Sequence, residues 1–220
     1  MFELIARYHQ ALIDGALVTI QLAALVWGIG IALGLAVGLF RAMLGSGRES
    51  TVYAVASLAL GSVPVLVYLF WAYYPLQSLL HLSIAPFVTA AIVLSLYNAL
   101  TVSEIALKAM QSLPVAYRLS ARTIGIRPAA YFRHILAPLL LRAMLPGLLS
   151  SQVTALHLTL FASLISVDEL FRVTQRINAI EYNAVGVFSL LAAFYFFISF
   201  PLLLLSRWFE HNVSGVGLER

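Results

Sequence analysis

Seven polar side chains lie within or beside long apolar stretches of the sequence, where a polar group is costly unless it finds a partner. They are Tyr97, Asn98, Thr101, Glu104, Thr154, His157 and Thr159. Their hydroxyl, amide, imidazole and carboxylate groups can hydrogen-bond a polar solute. We therefore interpret them as candidate solute contacts. Hydrogen bonds between neighbouring helices are the open alternative, above all for Asn98, Thr101 and His157.

Glu104 has a second interpretation, because Lys108 follows it at the spacing that brings opposite charges together on a helix. We expect Glu104 to neutralise a nearby base such as Lys108, although a carboxylate would also suit a cationic solute. The chain has five histidines and no cysteine. The histidines are scattered along the sequence, so we expect no metal site, and no cofactor is indicated.

The elements that must position these residues are membrane-spanning helices. Apolar residues make up 62% of the chain and charged residues 10%, against roughly 25% charged residues in a soluble domain. A span needs about 20 apolar residues, and lipid leaves free backbone groups without partners. The chain therefore predicts an all-α membrane protein with five transmembrane helices. The predicted spans are Leu17–Phe40, Val52–Tyr74, Pro86–Val102 (running on towards Lys108), Ala143–Val167 and Asn183–Ser206.

The distribution of basic residues predicts how these spans cross the membrane. With alternating sides, ten of the thirteen lysines and arginines fall on one side, which the positive-inside rule makes cytoplasmic. The N-terminus is then outside and the C-terminus cytoplasmic. We expect residues 1–14 to form a short amphipathic helix on the membrane surface before the first span.

Two local patterns predict details of the bundle. Gly30, Gly34 and Gly38 form a ridge of small residues in the first span, which lets another helix approach closely. Pro64 should kink the second span, because proline removes a helical hydrogen bond.

The basic segment between the third and fourth spans differs from a plain connection. Pro114 favours a helix start, Gly125 lies where that helix would end, and a second short helix can begin near Pro128 and lead towards Pro138. These features alone leave open an ordinary loop that only sets the topology.

This segment resembles the EAA loop of the permeases of ATP-binding-cassette (ABC) importers. The matching positions are Leu119, Ser120, Ala121, Gly125, Ile135, Ala137 and Pro138. Leu119 stands where the motif has glutamate, and Ser120 stands for its first alanine. The wider pattern, including Gly61–Val67 and Leu160–Leu170, is similar to the polar-amino-acid subfamily, which includes importers of histidine, glutamine and arginine. In that pattern Leu60 replaces an arginine of span two and His157 a lysine of span four.

The resemblance implies a bacterial plasma-membrane permease, one domain over residues 1–220 with a coupling loop at about 108–142. It implies three partners besides lipid: separate ATPase subunits, a second permease of the same or a homologous chain, and a soluble solute-binding protein outside the cell. No nucleic acid is expected. The ATPase-coupling residues would be Leu113, Pro114, Val115, Tyr117, Leu119, Ser120, Ala121, Arg122 and Gly125. Arg118 and Arg122 could instead face lipid phosphate. The outer loop with Asp168, Glu169, Arg172 and Arg176 could contact the binding protein or be merely solvated.

The chain has no ATP site of its own, because a P-loop ends in Gly-Lys-Ser/Thr and the single lysine, Lys108, lies between Leu107 and Ala109. We therefore do not expect an enzyme. Two other functions remain as alternatives: an intramembrane enzyme that uses His157 with Glu104 or Asp168, and a small channel or structural subunit.

Overall fold

The computed structural model describes residues 2–44, 48–114, 116 and 123–213, and these form helices without any strand. The helices are α1 (Phe2–Leu44), α2 (Arg48–Gly61), α3 (Val65–Tyr73), α4 (Pro75–Leu79), α5 (Pro86–Ser112), α6 (Pro128–Tyr131), α7 (Ala137–Leu158), α8 (Leu170–Glu181) and α9 (Ala184–Val213). A π-helical turn at Phe132–Leu136 joins α6 to α7, and a 3₁₀ turn at Thr159–Ile165 follows α7.

Four continuous helical runs are long and apolar enough to cross a membrane. They are Leu4–Ala42, Pro86–Ser112, Pro128–Ile165 and Ala184–Asn212. A fifth crossing is added if the bent pair Val52–Gly61 and Val65–Leu79 counts as one span. The prediction of an all-α membrane protein is confirmed, with four to five spans. The predicted extension of span three is also confirmed, because α5 runs past Lys108 to Ser112.

The second span is broken rather than continuous. Between Gly61 and Val65 the helix axis turns by 84°. Pro64 lies just before α3 with an extended backbone (φ −57°, ψ 136°), so its missing N–H and fixed φ end one helix and start the next. The predicted kink at Pro64 is therefore confirmed, and it is a break between two helices rather than a bend within one.

Two further boundaries differ from the predictions. The short helix predicted at residues 1–14 is shorter than expected and follows directly into the first span: α1 extends from Phe2 to Leu44, with a kink at Tyr8 (φ −113°, ψ 15°) that divides it into two helices. The second short helix of the basic segment does begin at Pro128, but it continues into span four instead of stopping near Pro138. Because the π-helical turn makes room for Pro138 in the first turn of α7, proline does not interrupt this run.

The α1–α5 pair is the most extensive helix contact of the bundle, and the glycine ridge makes it possible. A side-chain Cβ on Gly34 would lie 2.5 Å from Cβ of Val102, and one on Gly38 would lie 2.5 Å from the Ser103 carbonyl oxygen. The predicted close approach is thereby confirmed. Helices α7 and α9 pack on the same bundle, and α8 lies across the N-terminal half of α1, where a Cβ on Gly15 would contact Leu170 and Val173.

Candidate functional site

Three of the predicted solute contacts share one cavity between α2 and α5. Tyr97, Thr101 and Glu104 follow one another at helical spacing on α5, so they present one face, and Lys108 extends that face by one more turn. The opposite wall comes from α2 and the residue that ends it: Ala54, Ser57, Leu58 and Gly61. The cavity has a volume of about 370 Å³, which lies in the range of roughly 300–1,000 Å³ of small-molecule sites.

The carboxylate in this cavity is held by an arginine that sequence reasoning missed. Nη1 of Arg41 donates to Oε1 of Glu104 at 2.6 Å, and the Ser57 hydroxyl approaches the same oxygen at 3.4 Å. The Arg41 guanidinium also lies over the Tyr53 ring, 3.8 Å from its centroid, as in a cation–π contact. The ion pair of Glu104 described by the structure is therefore with Arg41 and not with the predicted Lys108.

A sequence signal for Arg41 does exist. Arg41 follows Gly38 by three residues, so it lies on the same side of α1 as the glycine ridge. That side packs on α5, which carries Glu104. A basic residue placed there must meet whatever acidic group the facing helix carries.

Asn98 is adjacent to the cavity-lining face but joins helices instead. Its amide nitrogen donates to the Val26 carbonyl at 3.1 Å and to Oε1 of Gln152 at 2.9 Å, and the side chain is buried. Nε1 of Trp27 donates to the Gln152 backbone carbonyl at 2.9 Å. These bonds join α1, α5 and α7, which corresponds to the interhelical alternative for Asn98.

The three predicted contacts on the fourth span lie away from the cavity. Nε2 of His157 is 3.0 Å from Oγ of Ser199, and its ring stands edge-on to Tyr195, so it faces α9. The Thr159 hydroxyl is buried and donates to the Leu156 carbonyl. Thr154 is exposed and donates to the Ser150 carbonyl.

The predicted coupling residues lie mostly outside the described part of the chain. Val115, Tyr117, Leu119, Ser120, Ala121 and Arg122 fall in that group, as does Arg118. Of the others, Leu113 and Pro114 follow the end of α5. Gly125 has φ +74°, the left-handed conformation that glycine adopts where a helix ends.

The charged residues of the predicted outer loop divide into two groups. Asp168 accepts from Arg176 at 2.6 Å and lies 3.1 Å from Nε of Arg172, and all three are at least partly exposed. Glu169 has no exposed surface and accepts hydrogen bonds from the backbone N–H groups of Phe171 and Arg172. The prediction that Glu169 could contact the binding protein was therefore wrong, because its buried carboxylate caps the N-terminus of α8.

Among the described residues, no group of three or more histidine, cysteine, aspartate or glutamate side chains could hold a metal ion. The side chains that line the cavity offer hydrogen bonding and ion pairing to a small polar molecule.

Comparison with known proteins identifies relatives along nearly the whole chain. The family described as "Binding-protein-dependent transport system inner membrane component" matches residues 15–215. The glutamine transport system permease protein GlnP of Escherichia coli (strain K12) is 28% identical over 204 residues, which cover 92% of this chain and 93% of GlnP. The L-cystine transport system permease protein TcyB of Bacillus subtilis (strain 168) is 30% identical over 215 residues, or 97% of this chain and 91% of TcyB.

A solved structure has the same fold. A crystal structure of an amino acid ABC transporter with histidines superimposes with a TM-score of 0.81 at 23% identity, covering 96% of this chain and 98% of that one.

Proposed function

Because this chain belongs to the family of binding-protein-dependent transport system inner membrane components, we propose that it is the permease subunit of an importer for an amino acid or a closely related solute. The observation that carries the substrate class is the α5 face formed by Tyr97, Thr101, Glu104 and Lys108, which lines one cavity with hydroxyl, carboxylate and ammonium groups. An amino acid carries the complementary ammonium and carboxylate. The names of GlnP and TcyB refer to amino acids as well.

Family membership fixes the rest of the biochemical role. The chain is a transport subunit of the inner membrane and not an enzyme, and ATP is hydrolysed by a separate ATPase. A solute-binding protein is the other partner that the family description names. The second permease of the assembly, either a copy of this chain or a homologue, is part of our proposal.

The proposed orientation has the N-terminus outside and the C-terminus in the cytoplasm, with residues 1–220 forming one permease domain. Two features support it. The first is the excess of basic residues on one side. The second is that α8 contacts the start of α1, whereas Arg41 and its partner Glu104 lie at the other end of α1. The segment at about 108–142 then lies on the ATPase side, where Leu113, Pro114 and Gly125 would flank the coupling contact.

Transport on this proposal works by alternating access. Closure of two ATPases around ATP would move the coupling segments, and the spans would change from an inward-open to an outward-open arrangement. ATP binding can drive this change only because it favours one state over the other. The broken second span, whose two parts meet at 84°, would form the wall that moves past α5.

The alternative functions are not supported. An intramembrane enzyme would need His157 beside Glu104 or Asp168. The described contacts of His157 are with Ser199 and Tyr195, Glu104 pairs with Arg41, and Asp168 pairs with Arg172 and Arg176. A channel or purely structural subunit does not account for membership of this family.

The proposal is tested by copurification and uptake. The chain should retain its ATPase through affinity purification, and the complex with its binding protein should accumulate a labelled amino acid in ATP-loaded proteoliposomes. Gly125→Asp should lose the ATPase, because φ +74° is strained for any side chain and the coupling segment would shift. Asn183→Asp adds the same charge at the opposite end of the bundle and should retain it. If the wild-type chain retains no ATPase, the proposal fails.

A further inference from the structure

We propose that the cavity between α2 and α5 selects a solute that carries a carboxylate and has no net positive charge, with Arg41 as the specificity-determining residue. This inference rests on the proposed function, since it names the class of amino acid that the importer would carry. It reverses the simplest interpretation of Glu104, namely that an acidic group in a transport cavity attracts a cation.

The charge of Glu104 is already balanced inside the protein. Arg41 is only 4% exposed, and its Nη1 lies 2.6 Å from Oε1 of Glu104, whose side chain is 38% exposed. A buried guanidinium beside a carboxylate attracts it much more strongly than bulk water would allow. A cationic solute would therefore have to compete with a permanent, preorganised partner for the same negative charge.

No other acidic group draws the guanidinium away from Glu104 within the described part of the chain. Nε of Arg41 is buried and has no hydrogen-bond partner within the described part of the chain. Its only described hydrogen bond is the one to Glu104, and the Tyr53 ring provides a neutral face. Among the described residues, Arg41 thus pairs with a single carboxylate, and this ion pair has no net charge.

Lys108 then decides the sign of the cavity. Of the described residues that line it, only Glu104 and Lys108 carry charge, and Lys108 is exposed. With Glu104 balanced by Arg41, the Lys108 ammonium leaves a net positive charge. A carboxylate is the natural partner of that ammonium.

A zwitterion fits the remaining hydrogen-bonding capacity. Both contacts described for the Glu104 carboxylate fall on Oε1, so Oε2 can still accept an N–H from the α-ammonium of a solute. The solute carboxylate would meet Lys108, and Tyr97 and Thr101 offer hydroxyl groups between the two. A second positive charge on the solute side chain would find no described acidic partner there.

The test measures binding to the purified permease–ATPase complex without the solute-binding protein, so that only the membrane cavity discriminates. The probes are radiolabelled L-glutamine, L-glutamate and L-arginine. We expect glutamine and glutamate to bind the wild-type complex at least tenfold more tightly than arginine. Lys108→Gln should weaken glutamate binding by about tenfold. Arg142→Gln, an exposed basic residue that does not line the cavity, should change nothing.

Arg41→Gln isolates the specificity role. Freeing the charge of Glu104 should raise the affinity for arginine relative to glutamate by tenfold or more. Because removing one partner of a buried ion pair can prevent folding, Arg41→Gln/Glu104→Gln is the matched variant. It removes both charges, keeps the net charge of the cavity, and should retain the preference for glutamate over arginine.

Each outcome bears on the inference separately from the proposed function. Arginine binding as tight as glutamine binding in the wild type would overturn the inference. So would binding of none of the three probes, or an unchanged arginine-to-glutamate ratio in a folded Arg41→Gln complex. Uptake of arginine in preference to the other two would also overturn it and leave the importer function intact, whereas loss of the ATPase would remove the function itself.

Discussion

Glu169 belongs by sequence to a charged loop that we expected to be exposed, but in the structure its side chain is buried. It lies in a charged outer loop, but its carboxylate is enclosed where α8 begins and accepts two backbone N–H groups at 2.8 Å each. Burial raises the pKa of Glu169 from 4.5 to about 7, with the two backbone hydrogen bonds opposing the shift. The carboxyl group is thus protonated in the folded protein at pH values where it is ionised in the unfolded chain.

The raised pKa predicts a pH-dependent stability. Between pH 4.5 and 7 the folded state binds the proton of Glu169 and the unfolded state does not, so this group lowers the free energy of unfolding as the pH rises through that window. The shift corresponds to about 3 kcal/mol in total. Glu169→Gln is neutral at every pH and should flatten the dependence of the melting temperature on pH between 5 and 8 in detergent.

The control for this experiment is Asp168→Asn, which removes an exposed carboxylate one residue away. It should keep the wild-type pH dependence. An equally steep pH dependence in Glu169→Gln would show that another group is responsible.

At the residue scale the sequence predicted part of the site. The polar interruptions of span three predicted Tyr97, Thr101 and Glu104 as candidate contacts, because a polar residue in an apolar span needs a partner, and the structure brings these three residues to one cavity. The pattern could not separate Asn98, which lies one residue from Tyr97 and points to other helices. Which of two adjacent polar residues lines a cavity depends on how α5 is rotated against α1, and that rotation is set by tertiary packing.

At the scale of elements, the contact of α1 with α5 is the feature most sensitive to small changes. Gly34 lies against Val102 and the Ala99 carbonyl. The two helix backbones are so close at Gly34 that no side chain would fit between them. In a membrane such close packing supplies much of the attraction between helices, since burial of apolar surface gives little when the alternative is lipid.

Gly34→Ala should therefore destabilise the protein, by about 1–3 kcal/mol, because the added methyl group must displace backbone as well as a side chain. Unfolding of the purified protein in detergent, followed by tryptophan fluorescence, would measure this. Gly28→Ala is the matched control on the same helix, since an added Cβ there has nothing within 4 Å. The packing account is refuted if both variants unfold at the same denaturant concentration.

Hydropathy predicted that the membrane-spanning helices exist better than it predicted the residues at which they begin and end. Span three was predicted well because Pro86 gives it a clear start. The break in span two could be located from Pro64 but not measured, since the 84° turn depends on how α3 packs on α5. The start of span four at Pro128 was missed, because Arg133 and Arg142 lie on exposed sides of that helix and make it resemble a loop.

At the scale of the whole molecule, the two ends of α1 mark two ends of the bundle. Near its start, Arg7 donates to Glu181 at 2.8 Å and Tyr8 donates to the same carboxylate at 2.7 Å. Hydrogen bonding from Tyr8 and Arg7 lowers the pKa of Glu181, so the carboxylate stays ionised at neutral pH. Near its end, Arg41 pairs with Glu104. The helix α8 and the part of α5 that carries Glu104 therefore belong to opposite ends.

This arrangement predicts which surfaces a membrane-impermeant reagent can reach. The chain has no cysteine, so a single introduced cysteine gives an unambiguous signal. Ile180 is exposed on α8 and Ala129 is exposed on α6. If the basic side is cytoplasmic, Ile180→Cys should react with a charged maleimide in intact spheroplasts, and Ala129→Cys should react only after permeabilisation. Reaction of Ala129→Cys in intact cells would reverse the proposed orientation and place the coupling segment where no cytoplasmic ATPase could reach it.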